Sequence, residues 1–275
     1  MAYKKILTVQ DISCMGQCSI TVALPILSAC GHETVILPSS VLSTHTAGFG
    51  AFHVHDLTQE FPAIIRHWQE LGVKFDVVYT GYLGNITHME LVKEIFDTLM
   101  APDGVRVVDP AMGDHGKLYP LFDMQYAKAM AELCACADVI LPNITEACMM
   151  ADMPYAETAT PEYVSDLLDK LEKLCPCVVL TGIGFEQGQT GVMLSQNGQR
   201  WHYVHEKLPQ IFHGTGDVFA SSFVGAWQQT GSMKQAVQIA ADYTLQCIQV
   251  TRDDADHWYG VKFESVLPEL IKKIF

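Results

Sequence analysis

The sequence predicts an α/β fold: a three-layer sandwich with a mostly parallel central sheet, helices on both faces and an antiparallel hairpin at one edge. Three observations carry this expectation. Short β-rich runs alternate with longer helical patterns along most of the 275 residues. The runs are apolar almost throughout, as in Asp76–Thr80 (DVVYT) and Val178–Thr181 (VVLT), so both faces of the sheet should be covered. One late pair of runs is instead joined by Asn197-Gly198, a hairpin signal.

Ile6–Gln10 (ILTVQ) reads as the first strand, followed by an apolar helix over Thr21–Cys30. Val35–Leu37 and Val41–Ser43 read as short strands before a glycine-containing loop, Thr44–Gly50. Phe61–Leu71 is amphipathic and ends at Gly72, a helix stop. Strand Asp76–Thr80, helix Met89–Met100 and strand Val105–Asp109 follow, then helix Phe122–Cys134 and strand Asp138–Leu141. A short helix begins after Asn143, another spans Pro161–Leu174, and Val178–Thr181 is the next strand. Val192–Ser195 and Arg200–Val204 form the hairpin, and the last two helices cover Asp217–Gln229 and Met233–Val250. No Pro/Gly-rich linker, charge block or repeat divides the chain, so residues 1–275 read as one domain.

Composition narrows the function. Apolar residues make up 49% and charged residues 17%, a globular balance. Seventeen Lys plus Arg against 31 Asp plus Glu give a formal net charge of −14, which disfavours nucleic acid and anionic membranes as partners. A polyphosphate can bind such a chain only with a metal ion and local backbone donors. No signal peptide or membrane span is visible, and the odd count of nine cysteines suits reduced thiols, so a cytoplasmic location is expected. The cysteine spacings are C-x-C and C-x3-C, not the paired C-x2-C of a zinc site. His53 and His55 fit alternation on a half-buried strand or loop better than metal ligation.

The most informative stretch is Phe212–Gly231, in which His213-Gly214-Thr215-Gly216-Asp217 runs directly into a helix rich in small residues. A glycine-rich turn before a helix leaves backbone N–H groups unpaired at the positive end of the dipole, so the turn suits an anion. Asp217 sits in the first helical turn beside that anion. A parallel sheet delivers every strand's C-terminal end to one rim, which should bring together Asp11, Tyr82, Asp109, Asn143 and Thr181. Two nucleotide motifs are absent: Gly116-Lys117-Leu118 is not a P-loop, and the pattern starting Gly182-Ile183-Gly184 is not a dinucleotide fingerprint.

Taken together, these segments resemble the ribokinase superfamily and, within it, the vitamin B6 kinases, over Ile6 to about Thr251. Gly214-Thr215-Gly216-Asp217 is similar to the superfamily's GTGD turn, which implies Asp217 as catalytic base and the three preceding residues as anion hole. Pro142-Asn143-Ile144-Thr145-Glu146 resembles the PNxxE element that organises magnesium around the phosphates, with Asp109 as a further metal candidate. Val108–Asp114 (VDPAMGD) resembles the element beside the phosphates, placing Asp109 and Asp114 there, and Thr181 corresponds to a strand end near the nucleotide. Thr80–Gly84 and Ser43–Thr46 resemble the segments that touch the pyridine ring, implying Tyr82, His45 and Thr46 as substrate contacts. Leu208, Phe212 and part of the last helix are candidates for the adenine.

The implied activity is transfer of the γ-phosphoryl group of Mg·ATP to the primary alcohol of pyridoxal, pyridoxamine or pyridoxine. The resemblance also admits a potassium ion and implies a homodimer. The rivals are a hydroxymethylpyrimidine kinase and a non-catalytic ligand-binding protein; a sugar kinase would need a longer lid than Thr44–Gly50. Asp217 is expected to stay ionised at its helix start and to act as a weak base. Three residues depart from the family pattern: Asp11 for serine, Thr44 for asparagine and Leu141 for threonine. A carboxylate at position 11 should favour the ammonium arm of pyridoxamine over the aldehyde of pyridoxal.

Overall fold

The computed structural model describes residues 3–210 and 212–275; Met1, Ala2 and Ile211 lie outside the described residues. The chain opens with β1 (Lys5–Ser13), α1 (Ile20–Ala29), β2 (Glu33–Leu42), β3 (Val54–Asp56), α2 (Phe61–Glu70) and β4 (Phe75–Thr80). Next come α3 (Ile86–Thr98), β5 (Met100–Val108), the two-residue strands β6 (Gly113–Asp114) and β7 (Lys117–Leu118), α4 (Met124–Cys134) and β8 (Val139–Ile140). Then follow α5 (Ile144–Ala151), α6 (Pro161–Leu171), β9 (Cys177–Thr181), β10 (Gln189–Gln196) and β11 (Gln199–Glu206). The chain closes with α7 (Thr215–Thr230), α8 (Met233–Thr251), a 3₁₀ turn (Phe263–Val266) and α9 (Leu267–Ile274).

Among the described residues, nine strands form one sheet in the order β11-β10-β9-β8-β5-β4-β1-β2-β3. Every pairing from β9 to β2 is parallel, while the β9–β10, β10–β11 and β2–β3 pairings at the two edges are antiparallel. The hairpin turns at Asn197-Gly198, both at positive φ, as a two-residue turn requires. The chain leaves β1 toward β2 on one side and returns to β4 on the other. Such a reversal opens a crevice at the strands' C-terminal ends, here between β1 and β4.

Two apolar layers flank the sheet. One holds α2 to α6, with Phe61, Val92, Met130 and Leu167 fully buried; the other holds α1, α7, α8 and α9, with Ile26, Phe223, Tyr243 and Leu270 fully buried. Each such side chain contributes about 1.5–3 kcal/mol by leaving water. Gly225 explains the small residues of α7: a Cβ there would stand 2.5 Å from Cys30 Sγ, so α1 can approach only a glycine.

The structure corrects the sequence reading in three places. Val35–Leu37 and Val41–Ser43 are not two strands but parts of β2, which carries Pro38 and a bulge where Ser39 and Ser40 stand opposite Asp11. The β6–β7 hairpin was invisible because two-residue strands carry no periodicity. The chain does not end its helices at Val250: α9 follows, two turns long with Pro268 in its first turn. All nine cysteines are free thiols, and among the described residues no helix is long and apolar enough to cross a membrane.

Candidate active site

The strand ends converge on one cleft of about 690 Å³. Asp11, Tyr82, Asp109, Asn143 and Thr181 all line it, as parallel delivery requires. Gly214, Thr215, Gly216 and Asp217 form part of the same wall, with Phe212 just before them. His45, Thr46, Asp114 and Glu146 complete the set.

Leu208 does not. It lies half-buried on the loop after β11 and is absent from the cleft lining, whereas Ala241, Thr244 and Ile248 of α8 are present. The strand β11 runs on to Glu206 at the sheet edge, so the residue just beyond it stays at that edge. Phe212 and these α8 residues therefore form an apolar wall of the cleft where Leu208 does not.

The turn before α7 has the geometry of an anion site. Gly214 adopts left-handed φ 76°, and a Cβ on it would lie 1.8 Å from the main-chain carbonyl of Gln17. Only glycine fits. The Gly214 position before the helix carries no side-chain cap, so the N–H groups of Thr215 and Gly216 suit a ligand, while that of Asp217 serves its own carboxyl. Gly216 faces open space, where a Cβ would meet nothing within 4 Å.

Asp217 is less acidic than its helix position suggests. Burial, and then the neighbouring Asp11 carboxylate, push it up to about 7, while main-chain N–H groups of Ser19 and Asp217 itself pull the other way. The expected fully ionised, weakly basic carboxylate is thus replaced by one that titrates near neutrality. Two dipolar donors do not make up for lost water. Such a group is a better base, because its pKa approaches the working pH. Ser19, which the sequence reading missed, sits at φ 54°, a conformation that non-glycine residues seldom adopt. Its hydroxyl bonds Asp11 while its N–H serves Asp217.

Asn143 caps α5 in a full capping box. Its Oδ1 accepts from Glu146 N (3.0 Å), and Glu146 Oε2 accepts from Asn143 N (2.9 Å). Asn143 Nδ2 donates to Gly113 O (2.9 Å), and Glu146 Oε1 accepts from Met112 N (3.1 Å). Both ends of the Asn143 amide are therefore occupied, so it orients Glu146 and the β6–β7 hairpin. Glu146 and Asp109 are 3% and 8% exposed. Burial holds both carboxyls above the usual range, and the Glu146 charge raises Asp109 further. Two buried carboxyl groups without a lysine or arginine partner among the described residues suit a hard divalent cation, with oxygen ligands directly or through water.

On the other side of the cleft, Asp11 stands at the bulge, buried, and accepts Ser13 Oγ at 2.8 Å. One carboxylate oxygen thus turns to its own loop. His45 Nε2 lies 2.8 Å from Tyr259 O and its Nδ1 accepts Ala47 N at 3.2 Å. Those partners fix the neutral Nε2–H tautomer and leave the ring surface, not a polar atom, for a substrate. Tyr82 packs on Phe122 with ring centroids 5.2 Å apart. Lys117 and His213 also line the cleft and were given no role from the sequence. For Lys117 the signal was Gly116-Lys117, set aside as a failed P-loop.

A parallel-sheet rim with a glycine turn, a helix-start aspartate and a capped acidic turn is the arrangement of the ribokinase-like kinases. Residues 28–261 match the phosphomethylpyrimidine kinase family, and the chain belongs to it. A putative phosphomethylpyrimidine kinase from Bacteroides thetaiotaomicron, crystallised with pyridoxal, is 38% identical, with 98% of this chain and 96% of that one covered and a TM-score of 0.92. Pyridoxal kinase from Lactobacillus plantarum is 28% identical, with 98% of each chain covered and a TM-score of 0.91. The pyridoxal kinase of Arabidopsis thaliana is 23% identical over 263 residues, covering 91% of this chain and 83% of that protein.

Proposed function

We propose that this protein is an ATP-dependent kinase that phosphorylates the primary alcohol of a B6 vitamer. One observation carries the reading: a single cleft is lined both by the Gly214–Asp217 turn and by Tyr82, His45 and Thr46, the residues this reading gives to the pyridine ring. Its relative crystallised with pyridoxal and its pyridoxal kinase relatives support the vitamer as acceptor.

In this reading the N–H groups of the Gly214–Gly216 turn hold the transferring phosphoryl oxygens. Asp217 orients the attacking hydroxyl and takes its proton as the new bond forms. Phe212 and α8 receive the adenine; Thr181, Asp114 and Asn143 border the phosphates. Glu146 and Asp109 would hold magnesium, which neutralises phosphate charge when bound. Potassium, a homodimer and a cytoplasmic setting belong to the same family-based reading.

The test is ADP release from ATP with pyridoxal, pyridoxamine, pyridoxine and hydroxymethylpyrimidine offered singly. A B6 vitamer should give the highest kcat/KM, and pyridoxamine should be used at least as well as pyridoxal if the Asp11 carboxylate, which already accepts the Ser13 and Ser19 hydroxyls, also reaches its ammonium arm. Preference for hydroxymethylpyrimidine would overturn the vitamer assignment.

The metal assignment has its own expected outcome. Glu146→Gln should raise the magnesium concentration for half-maximal rate more than it changes the vitamer KM, because the amide loses the charge and keeps only one of the two oxygens that accept Met112 N and Asn143 N. An unchanged magnesium titration would remove Glu146 from the metal site.

A further inference from the structure

We infer that Lys117, on the β6–β7 hairpin, clamps the terminal phosphate of the bound nucleotide and supplies the side-chain cation that the backbone turn at Gly214 lacks. This rests on the kinase reading above and adds a residue to it.

The charge inventory of the cleft points to this residue. Five carboxyl groups line it, from Asp11, Asp109, Asp114, Glu146 and Asp217, and Lys117 is the only lysine or arginine among the described lining residues. A nucleoside triphosphate brings several further negative charges into that space, and an ammonium group is a compact point charge well matched to phosphate oxygens.

Lys117 is also unspent. In this acidic chain Lys4, Lys5, Lys93, Lys262, Lys272 and Lys273 each hold a carboxylate. Among the described residues, no ion pair or hydrogen bond engages the Lys117 ammonium, although Asp114 is its direct cross-strand partner. Asp114 instead pairs with His115 at 3.5 Å.

The hairpin that carries Lys117 is tied down on the phosphate side. Gly116 N donates to Thr145 Oγ1 (2.9 Å), and Asn143 Nδ2 donates to Gly113 O (2.9 Å). Both anchors belong to the start of α5, the same turn that orients Glu146. Lys117 is therefore fixed relative to the acidic turn by two hydrogen bonds, while its flexible side chain stays free to meet a ligand.

The test is nucleotide binding without any alcohol acceptor. Dissociation constants of Mg·ADP and of the magnesium complex of the β,γ-imido analogue of ATP are measured by calorimetry for wild type, Lys117→Met and Lys117→Arg. Loss of a charge-assisted phosphate contact should weaken the triphosphate analogue about ten- to a hundredfold in Lys117→Met. ADP should weaken by less than about threefold, and Lys117→Arg should keep both within about threefold of wild type. Unchanged triphosphate binding in Lys117→Met would overturn the inference, as would equal losses for ADP and the analogue. Because no acceptor is present, failure of every B6 vitamer in the ADP-release assay would be a separate result.

Discussion

Asp217→Asn should lower kcat by about 10²–10⁴ while leaving Mg·ATP binding near its wild-type value. The amide keeps the shape of the side chain at the start of α7 but can no longer accept the alcohol's proton. The pH profile gives a second, independent reading. Burial and Asp11 raise the Asp217 carboxyl to about 7, so the protonated, inactive form dominates below that pH and the carboxylate above it. In wild type kcat/KM should therefore climb as pH rises through about 7 and then level off, and the residual rate of the Asn variant should lack that limb. Retention of more than a tenth of kcat, or an identical limb in the variant, would rule out Asp217 as the base.

Much of this site could be read from the chain because the parallel sheet does the assembling. Once Ile6–Gln10, Asp76–Thr80 and Val178–Thr181 are recognised as parallel strands, Asp11, Tyr82 and Thr181 must share a rim, whatever their separation in sequence. Asn143 and Glu146 were legible through the resemblance to the PNxxE element, and the structure supplies the local reason for that spacing, a capping box at one helix start. What escaped depends on three-dimensional surroundings. The basicity of Asp217 comes from burial and from Asp11, 206 positions earlier in the chain, and neither is a property of the GTGD turn. Ser19 is an ordinary serine until α1 places its N–H at Asp217. Lys117 reaches the cleft through a hairpin held by Thr145 and Asn143, with strands too short to leave a pattern. Leu208 failed for the opposite reason: its apolarity suited an adenine wall, but its place beyond β11 keeps it from the cleft lining.

Gly214→Ala should damage both stability and catalysis, and the pairing of the two losses is the expected signature. At φ 76° an alanine is strained, which costs about 1–3 kcal/mol. Its Cβ would also fall 1.8 Å from Gln17 O. That carbonyl is poorly placed to retreat, because the Gln17 side chain donates to Glu264 Oε1 (2.8 Å) and Oε2 (2.9 Å) and its Oε1 lies 2.8 Å from His257 Nε2. The turn itself must move, and with it the N–H groups proposed to receive the phosphoryl oxygens. A displacement of about 1 Å at such donors can cost about 10²-fold in rate. Gly216→Ala is the matched control. Its Cβ enters open space at a helical position, so thermal stability should hold or rise by about 0.5–1 kcal/mol, and any loss of rate must come from crowding of the ligand. Melting temperatures and kcat for both variants decide the matter: wild-type values of both in Gly214→Ala would show that the approach of Gln17 does not hold the anion hole in place.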